Sequence, residues 1–148
     1  MSKHETVPFE TTLHVRDHCL CLASQRAARA LARRFDAALK PVGLTSGQFS
    51  LLMSLNRPSP PSISSVASLL AMDRTTLTAN LKPLERRGLI QTMVDPKDRR
   101  GRLLSLTADG HAVLQAAVPV WERVHGEVDE ALARIDTANL RSGLHAVL

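Results

Sequence analysis

The apolar positions change spacing twice within residues 62–106, SISSVASLLAMDRTTLTANLKPLERRGLIQTMVDPKDRRGRLLSL, and predict two short helices, a two-stranded hairpin and a basic tip. In the second helix Leu77, Leu81 and Leu84 recur at i, i+4 and i+7 as one apolar face, with Thr75, Ala79, Lys82 and Arg86 opposite. Asp73 is a good N-cap, because its carboxylate accepts from the free N–H groups of the first turn, and Gly88 suits the position just past the last turn. Pro83 removes an amide donor inside the helix and is expected to bend it between Ala79 and Leu84. Residues 89–93 and 102–106 are short β-compatible runs flanking a loop at 94–101. In that loop Pro96 presets a turn, Gly101 relaxes it, and Lys97, Arg99, Arg100 and Arg102 lie close together, with Asp95 and Asp98 available to hold some of them in place.

Two helices followed by a hairpin with a cationic tip make a winged helix-turn-helix. Threonine hydroxyls and methyls on the second helix can meet base edges, and Lys and Arg can meet phosphates, which is what a helix in the major groove requires. The DNA-facing candidates are Arg74, Thr75, Thr76, Thr78 and Lys82 on that helix and Lys97, Arg99, Arg100 and Arg102 on the wing, where an Arg can enter a minor groove.

RTTLTANLKPLERRGLI followed by DPKDRRGRLLSLTADG resembles the recognition helix and DxxDRR-type wing of the MarR family of bacterial transcriptional regulators. GLTSGQFSLL before the stretch and LTADG after it are similar to the family's flanking helix starts, so the likeness covers most of the chain. Two departures stand out. Many members carry Gly where Ala71 stands and a basic residue where Ala79 stands, so no base contact is carried over to Ala79. The resemblance implies a homodimer knotted through its N- and C-terminal helices, which binds a pseudo-palindromic operator, usually as a repressor, and is released by a small ligand or an oxidant.

Charge sharpens this picture. The formal net charge of the 148 residues is +5, and residues 74–102 hold eight Lys or Arg against three Asp or Glu, so the whole excess falls on the predicted helix and wing while the remainder is neutral. A generally basic solvated surface would spread the excess, whereas a polyanionic partner concentrates it. Only 3% of residues are aromatic, with one Trp and no Tyr, so the core of this single domain, residues 1–148, must be built from Leu, Ala and Val on helices. The expected fold is mainly α with a small β-hairpin wing. No apolar run approaches the ~20 residues of a membrane span, and the N-terminus lacks a signal-peptide pattern, so a cytoplasmic location is expected, with double-stranded DNA as partner and no membrane. Two cysteines are too few for a disulfide scaffold.

In chain order, residues 1–10 show little periodicity and read as a loosely held arm. Residues 12–40 read as one helix with Leu20, Ala27, Leu31, Phe35 and Ala38 on a stripe, ended by Pro41 and Gly43. Thr45 and Gln48 form a capping box for a helix whose Phe49, Leu52 and Met53 face inward, opening a winged module at 45–106. Residues 56–61, NRPSPP, are a stiff spacer. Thr107 caps a long helix carrying Val113, Leu114, Ala117, Val120, Trp121, Val124 and Val128, with a bend expected near Pro119. Asp136 or Thr137 starts a last one with Leu140, Leu144 and Leu148. These helices, within 12–40 and 107–148, are too apolar to stand free and call for a second copy of the chain.

Catalysis finds no support: there is no Gly-rich phosphate loop, no H-E-x-x-H and no nucleophile motif, so the protein is not expected to be an enzyme or to carry a cofactor. Asp17 to Ala23, DHCLCLA, resembles the first helix of the hydroperoxide-sensing branch of the family, with Cys21 at the reactive position. That branch uses tyrosines to hold its thiol, and this chain has none, so packing at a dimer interface is the simpler role for Cys21. Two alternatives to the ligand-released regulator are a peroxide sensor using Cys21 and a winged-helix protein-interaction module. His14, His18 and Cys21, at i, i+4 and i+7, share one side of the helix and could offer soft ligands to a metal. One helix rarely encloses a metal alone, so capping and interface histidines are the simpler reading.

Overall fold

A computed structural model describes residues 6–148, and the chain divides after Arg34 into two compact units. The first unit holds α1 (Phe9–His18) and the start of α2 (Leu20–Leu39). The second holds the end of α2, a short 3-10 turn at Lys40–Val42, α3 (Ser46–Leu55), α4 (Ile63–Leu69), α5 (Arg74–Arg86), β1 (Ile90–Asp95), β2 (Asp98–Leu106), α6 (Ala108–Ala131) and α7 (Thr137–His145). The fold is the expected one, mainly helical with one antiparallel hairpin.

The single N-terminal helix predicted for 12–40 is two helices. Cys19 leaves helical geometry at ψ 107, its amide still closing α1 on the Val15 carbonyl while its Sγ accepts the Leu22 N–H at 3.3 Å. The thiol thus caps α2, a break that no Pro or Gly announces in the sequence. Residues 1–5 of the expected arm lie outside the described residues, and Phe9 and Glu10 belong to α1.

The core of the second unit forms where the predicted stripes meet. Leu39, Leu44, Phe49, Leu51, Leu52, Leu55, Val66, Leu77, Leu81, Leu84, Leu104 and Leu114 are buried in one cluster. At roughly 1.5–3 kcal/mol for each fully buried leucine, this cluster is what holds α3, α4, α5 and the hairpin together. Phe49 and Leu52 face inward as expected. Met53 does not: it is exposed, and Leu51 and Leu55 take the inner face instead.

Local signals set most boundaries. Thr45 Oγ1 accepts from Gln48 N at 3.1 Å and Gln48 Oε1 from Thr45 N at 3.0 Å, completing the capping box, and the Asp36 carboxylate accepts from Ser46 N at 2.6 Å. Ser62, Thr107 and Asp136 cap α4, α6 and α7. The 56–61 spacer does more than separate, because Pro61 O accepts the Leu104 N–H at 2.9 Å and Ser62 bridges Leu103, adding a short third edge to the hairpin. Gly110 is required by close approach. A Cβ there would sit 2.0 Å from the Leu89 carbonyl oxygen, which accepts the Thr107 amide at 3.1 Å, so α6 starts in contact with the first residues of the wing.

Candidate nucleic-acid interface

The recognition helix is closed at both ends. Asp73 Oδ1 accepts from Thr76 N and Asp73 Oδ2 from Thr76 Oγ1, each at 2.8 Å, and the backbone bond above all holds this carboxyl below its ordinary value. At the other end Gly88, at φ 70, gives its N–H to Glu85 O while Leu89 gives its own to Leu84 O, the paired bonds of a Schellman stop. The preceding helix stops the same way: Ala71 N bonds Ser68 O and Met72 N bonds Ala67 O, with Ala71 at φ 51, the one non-glycine residue at positive φ among those described. This explains the family's Gly at that place. α5 continues through Pro83, which shares a groove with Thr45 and Gln48 at the start of α3.

Leu77, Leu81 and Leu84 are buried, and Arg74, Thr75, Thr76, Thr78, Ala79, Lys82 and Arg86 are exposed. The predicted outward face is therefore assembled on one continuous surface. Thr78 Oγ1 donates to Arg74 O at 2.8 Å.

The wing differs from its expected form. The strands run almost to the tip, the turn shrinks from 94–101 to Pro96 and Lys97, and the register jumps from Val94 opposite Arg102 to Asp95 opposite Asp98. Arg99, Arg100 and Gly101 are therefore left out of the pairing as a bulge. Asp95 and Asp98 do not hold the cations. Asp95 Oδ1 accepts from Lys97 N at 2.9 Å and Asp98 Oδ1 from Arg100 N at 3.0 Å, so the carboxylates fold the tip backbone, as Asp does in tight turns. Arg102 Nη1 braces the same tip through Arg99 O at 3.2 Å and Gly101 O at 3.1 Å. Among the described residues the side chains of Lys97, Arg99 and Arg100 have no ion pair and no hydrogen bond.

Two ties that the sequence did not reveal lock helix to wing. Thr92 Oγ1 donates to Glu85 Oε1, and Thr107 Oγ1 donates to Gly88 O at 2.6 Å. A third, Arg87 Nη1 to Gly43 O at 2.8 Å, fixes the end of α5 to the turn before α3. Such pairs carry no local signature, since their partners are separated in sequence and only the folded chain brings them together.

The model of the MarR family matches residues 44–101. The chain is 33% identical over 120 residues to the HTH-type transcriptional repressor NicR of Pseudomonas putida, covering 81% of this chain and 73% of that one. This chain belongs to the MarR family. A crystal structure of the M. tuberculosis transcriptional regulator MosR in complex with DNA, 39% identical, superposes with a TM-score of 0.74, covering 88% of this chain and 98% of that one. The organic hydroperoxide resistance transcriptional regulator of Bacillus subtilis is 27% identical over 129 residues, covering 87% of this chain and 86% of its own length.

Outside the MarR-type module, His14 and His18 lie on α1 and Cys21 on α2, so the three do not share one helix face. His18 Nδ1 bonds the His14 carbonyl at 2.8 Å, the two rings stack at 4.3 Å, and the helix breaks before Cys21, whose Sγ accepts from Gln25 Nε2 at 3.4 Å. Among the described residues no group of three His, Cys, Asp or Glu could hold a metal, and no helix is long and apolar enough to cross a membrane.

Proposed function

We propose that this MarR-family protein is a transcriptional regulator that binds a pseudo-palindromic duplex as a homodimer and acts as a repressor. The observation that carries this reading is the pairing of two cationic surfaces, the α5 face and a wing tip whose Lys97, Arg99 and Arg100 are exposed and form no ion pair among the described residues. Arg74, Thr75, Thr76, Thr78 and Lys82 face the major groove. Lys97, Arg99 and Arg100 meet phosphates or the minor groove, with Asp95, Asp98 and Arg102 shaping the tip. The DNA complex of MosR and the repressor name of NicR support the same reading. Dimerisation uses the N- and C-terminal helices, where Leu20, Leu31, Leu140 and Leu144 are exposed in a single copy.

Duplex affinity measured against salt tests this. Each phosphate contact contributes a slope of about −0.9 in log affinity against log salt. Arg100→Ala should flatten that slope by about one and weaken all sequences alike. An affinity independent of salt refutes the reading and leaves a protein-docking winged helix in its place.

Release by a small ligand or by an oxidant completes the switch. The oxidant reading draws on the likeness to the Bacillus regulator and on the exposure of Cys21. With a duplex selected from a randomised library, release by an organic hydroperoxide should be lost in Cys21→Ser and kept in Cys19→Ser. Equal behaviour of all three proteins assigns the switch to a small ligand.

A further inference from the structure

We propose that the recognition helix selects a thymine, through the Thr75 hydroxyl and a small apolar hollow floored by Ala79. The inference rests on the DNA-binding reading above and names the base that this helix reads. On the outward face of α5, Arg74, Thr75, Thr78, Ala79 and Lys82 surround a shallow open depression. It exists because Ala79 is small while its neighbours three and four positions away stand around it on the same face.

The three threonines of this face are not equivalent. The Thr76 hydroxyl donates to Asp73 Oδ2 and the Thr78 hydroxyl to Arg74 O, both at 2.8 Å, so neither proton is free. The Thr75 hydroxyl has no partner among the described residues and is the one that can donate to a base edge. With its hydroxyl turned to the backbone, Thr78 has its methyl left to line the hollow beside the methyl of Ala79.

In the major groove only thymine sets an acceptor, O4, next to a methyl group; cytosine and adenine place an amino donor there, and guanine has acceptors and no methyl. A hydroxyl donor beside an apolar hollow is the complement of that edge. Arg74 and Lys82 lie about 12 Å apart along the helix axis and bracket the hollow, so phosphate contacts at both would fix the helix in register over one base.

The test selects duplexes from a randomised library with the full chain, then replaces each thymine in turn by deoxyuridine, which lacks only the 5-methyl. Fluorescence anisotropy should find a thymine in each half-site whose replacement weakens wild type about fourfold, the value of one buried methyl. Thr78→Ser should shrink that penalty and Thr78→Val should keep it. Ala79→Val, which fills the hollow, should bind the thymine duplex more weakly and no longer distinguish it from the deoxyuridine one. Thr75→Val should lower the preference for thymine over cytosine at the same position. Tolerance of deoxyuridine everywhere by wild type, or a penalty that none of these variants alters, overturns the inference while salt-dependent affinity leaves DNA binding standing. If no duplex is enriched and affinity ignores salt, the DNA-binding reading falls and the inference falls with it.

Discussion

The leucines in the middle of the chain and those near its ends are the same residue in opposite surroundings. Leu52, Leu77, Leu84 and Leu104 are fully buried, whereas Leu140 and Leu144 in α7 are 43% and 50% exposed and Leu20 is 76% exposed. α1 and α7 bury no residue at all. The middle therefore has enough matching surface to close on itself and to hold α5 and the wing in a fixed relation. The ends spend their hydrophobic positions on something that a single copy does not supply. A regulator that must set two recognition helices one DNA turn apart, about 34 Å, has a use for both kinds of region. On the function proposed above, one part reads and the other sets the spacing.

The sharpest way to break the comparison is inside α6, which carries two glycines, Gly110 and Gly126. Gly110→Ala drives a methyl into the backbone carbonyl of Leu89 and should cost about 3 kcal/mol or more in urea unfolding. A Cβ on Gly126 meets nothing within 4 Å in a single copy, so Gly126→Ala should be neutral or gain up to about 1 kcal/mol from helix propensity. If Gly126→Ala instead weakens association, a second copy fills that face.

Next in size is the leucine pair itself. Leu84→Ala should lose about 2–5 kcal/mol whatever the protein concentration, because it opens a cavity in a closed core. Leu140→Ala should act through association, so its unfolding midpoint should depend on concentration more steeply than that of wild type. Removing residues 136–148 should abolish dimerisation and duplex binding together. A folded, monomeric and fully binding truncation would show that the ends have no part in spacing.

What the sequence made legible follows the same division. Caps and stripes are local, so Asp73, Gly88, Thr45 with Gln48, Thr107 and Asp136 marked helix ends correctly, and Leu77, Leu81 and Leu84 marked the inner face. The break at Cys19 has no sequence signature because a thiol is a rare cap. The wing's bulge has none because register depends on a partner strand, and the carboxylates of Asp95 and Asp98 could as well have met arginines as amides. Met53 turns outward because α3 buries Leu51, Ser54 and Leu55 beside Phe49 and Leu52, a set that apolar period alone does not single out. The site residues were legible as an exposed set. Which of their hydroxyls were already committed was visible only in the structure.

A smaller effect separates the two stops of the helix-turn-helix. Both end in the same pair of bonds, yet Gly88 stands at φ 70 and Ala71 at φ 51. An L side chain in that region costs about 1–2 kcal/mol, and glycine avoids it while gaining unfolded-state entropy. Ala71→Gly should therefore raise stability by about 0.5–1 kcal/mol. Gly88→Ala, where a Cβ meets nothing within 4 Å, should lower it by about 1 kcal/mol through conformation alone. Urea midpoints of the two variants should move in opposite directions, with wild type between them.

The smallest expected effect lies where α2 enters the middle. Asp36 accepts the Ser46 amide, and that backbone bond chiefly holds its carboxyl below the ordinary value, with Ser46's side chain adding to it and partial burial opposing. A folded carboxyl depressed below its unfolded value binds its proton less readily than the unfolded chain does, so its contribution is present above the unfolded value, about 3.9, and is lost as pH falls through the folded one. Asp73, held down by the Thr76 amide, adds a contribution of the same sign. Stability should therefore fall on acidification below about pH 4, and Asp36→Asn, which keeps an acceptor for Ser46 and loses the titration, should flatten that fall. Unfolding midpoints of wild type and Asp36→Asn that run parallel through this range would show that the bond at the head of α3 does not depend on the charge of Asp36.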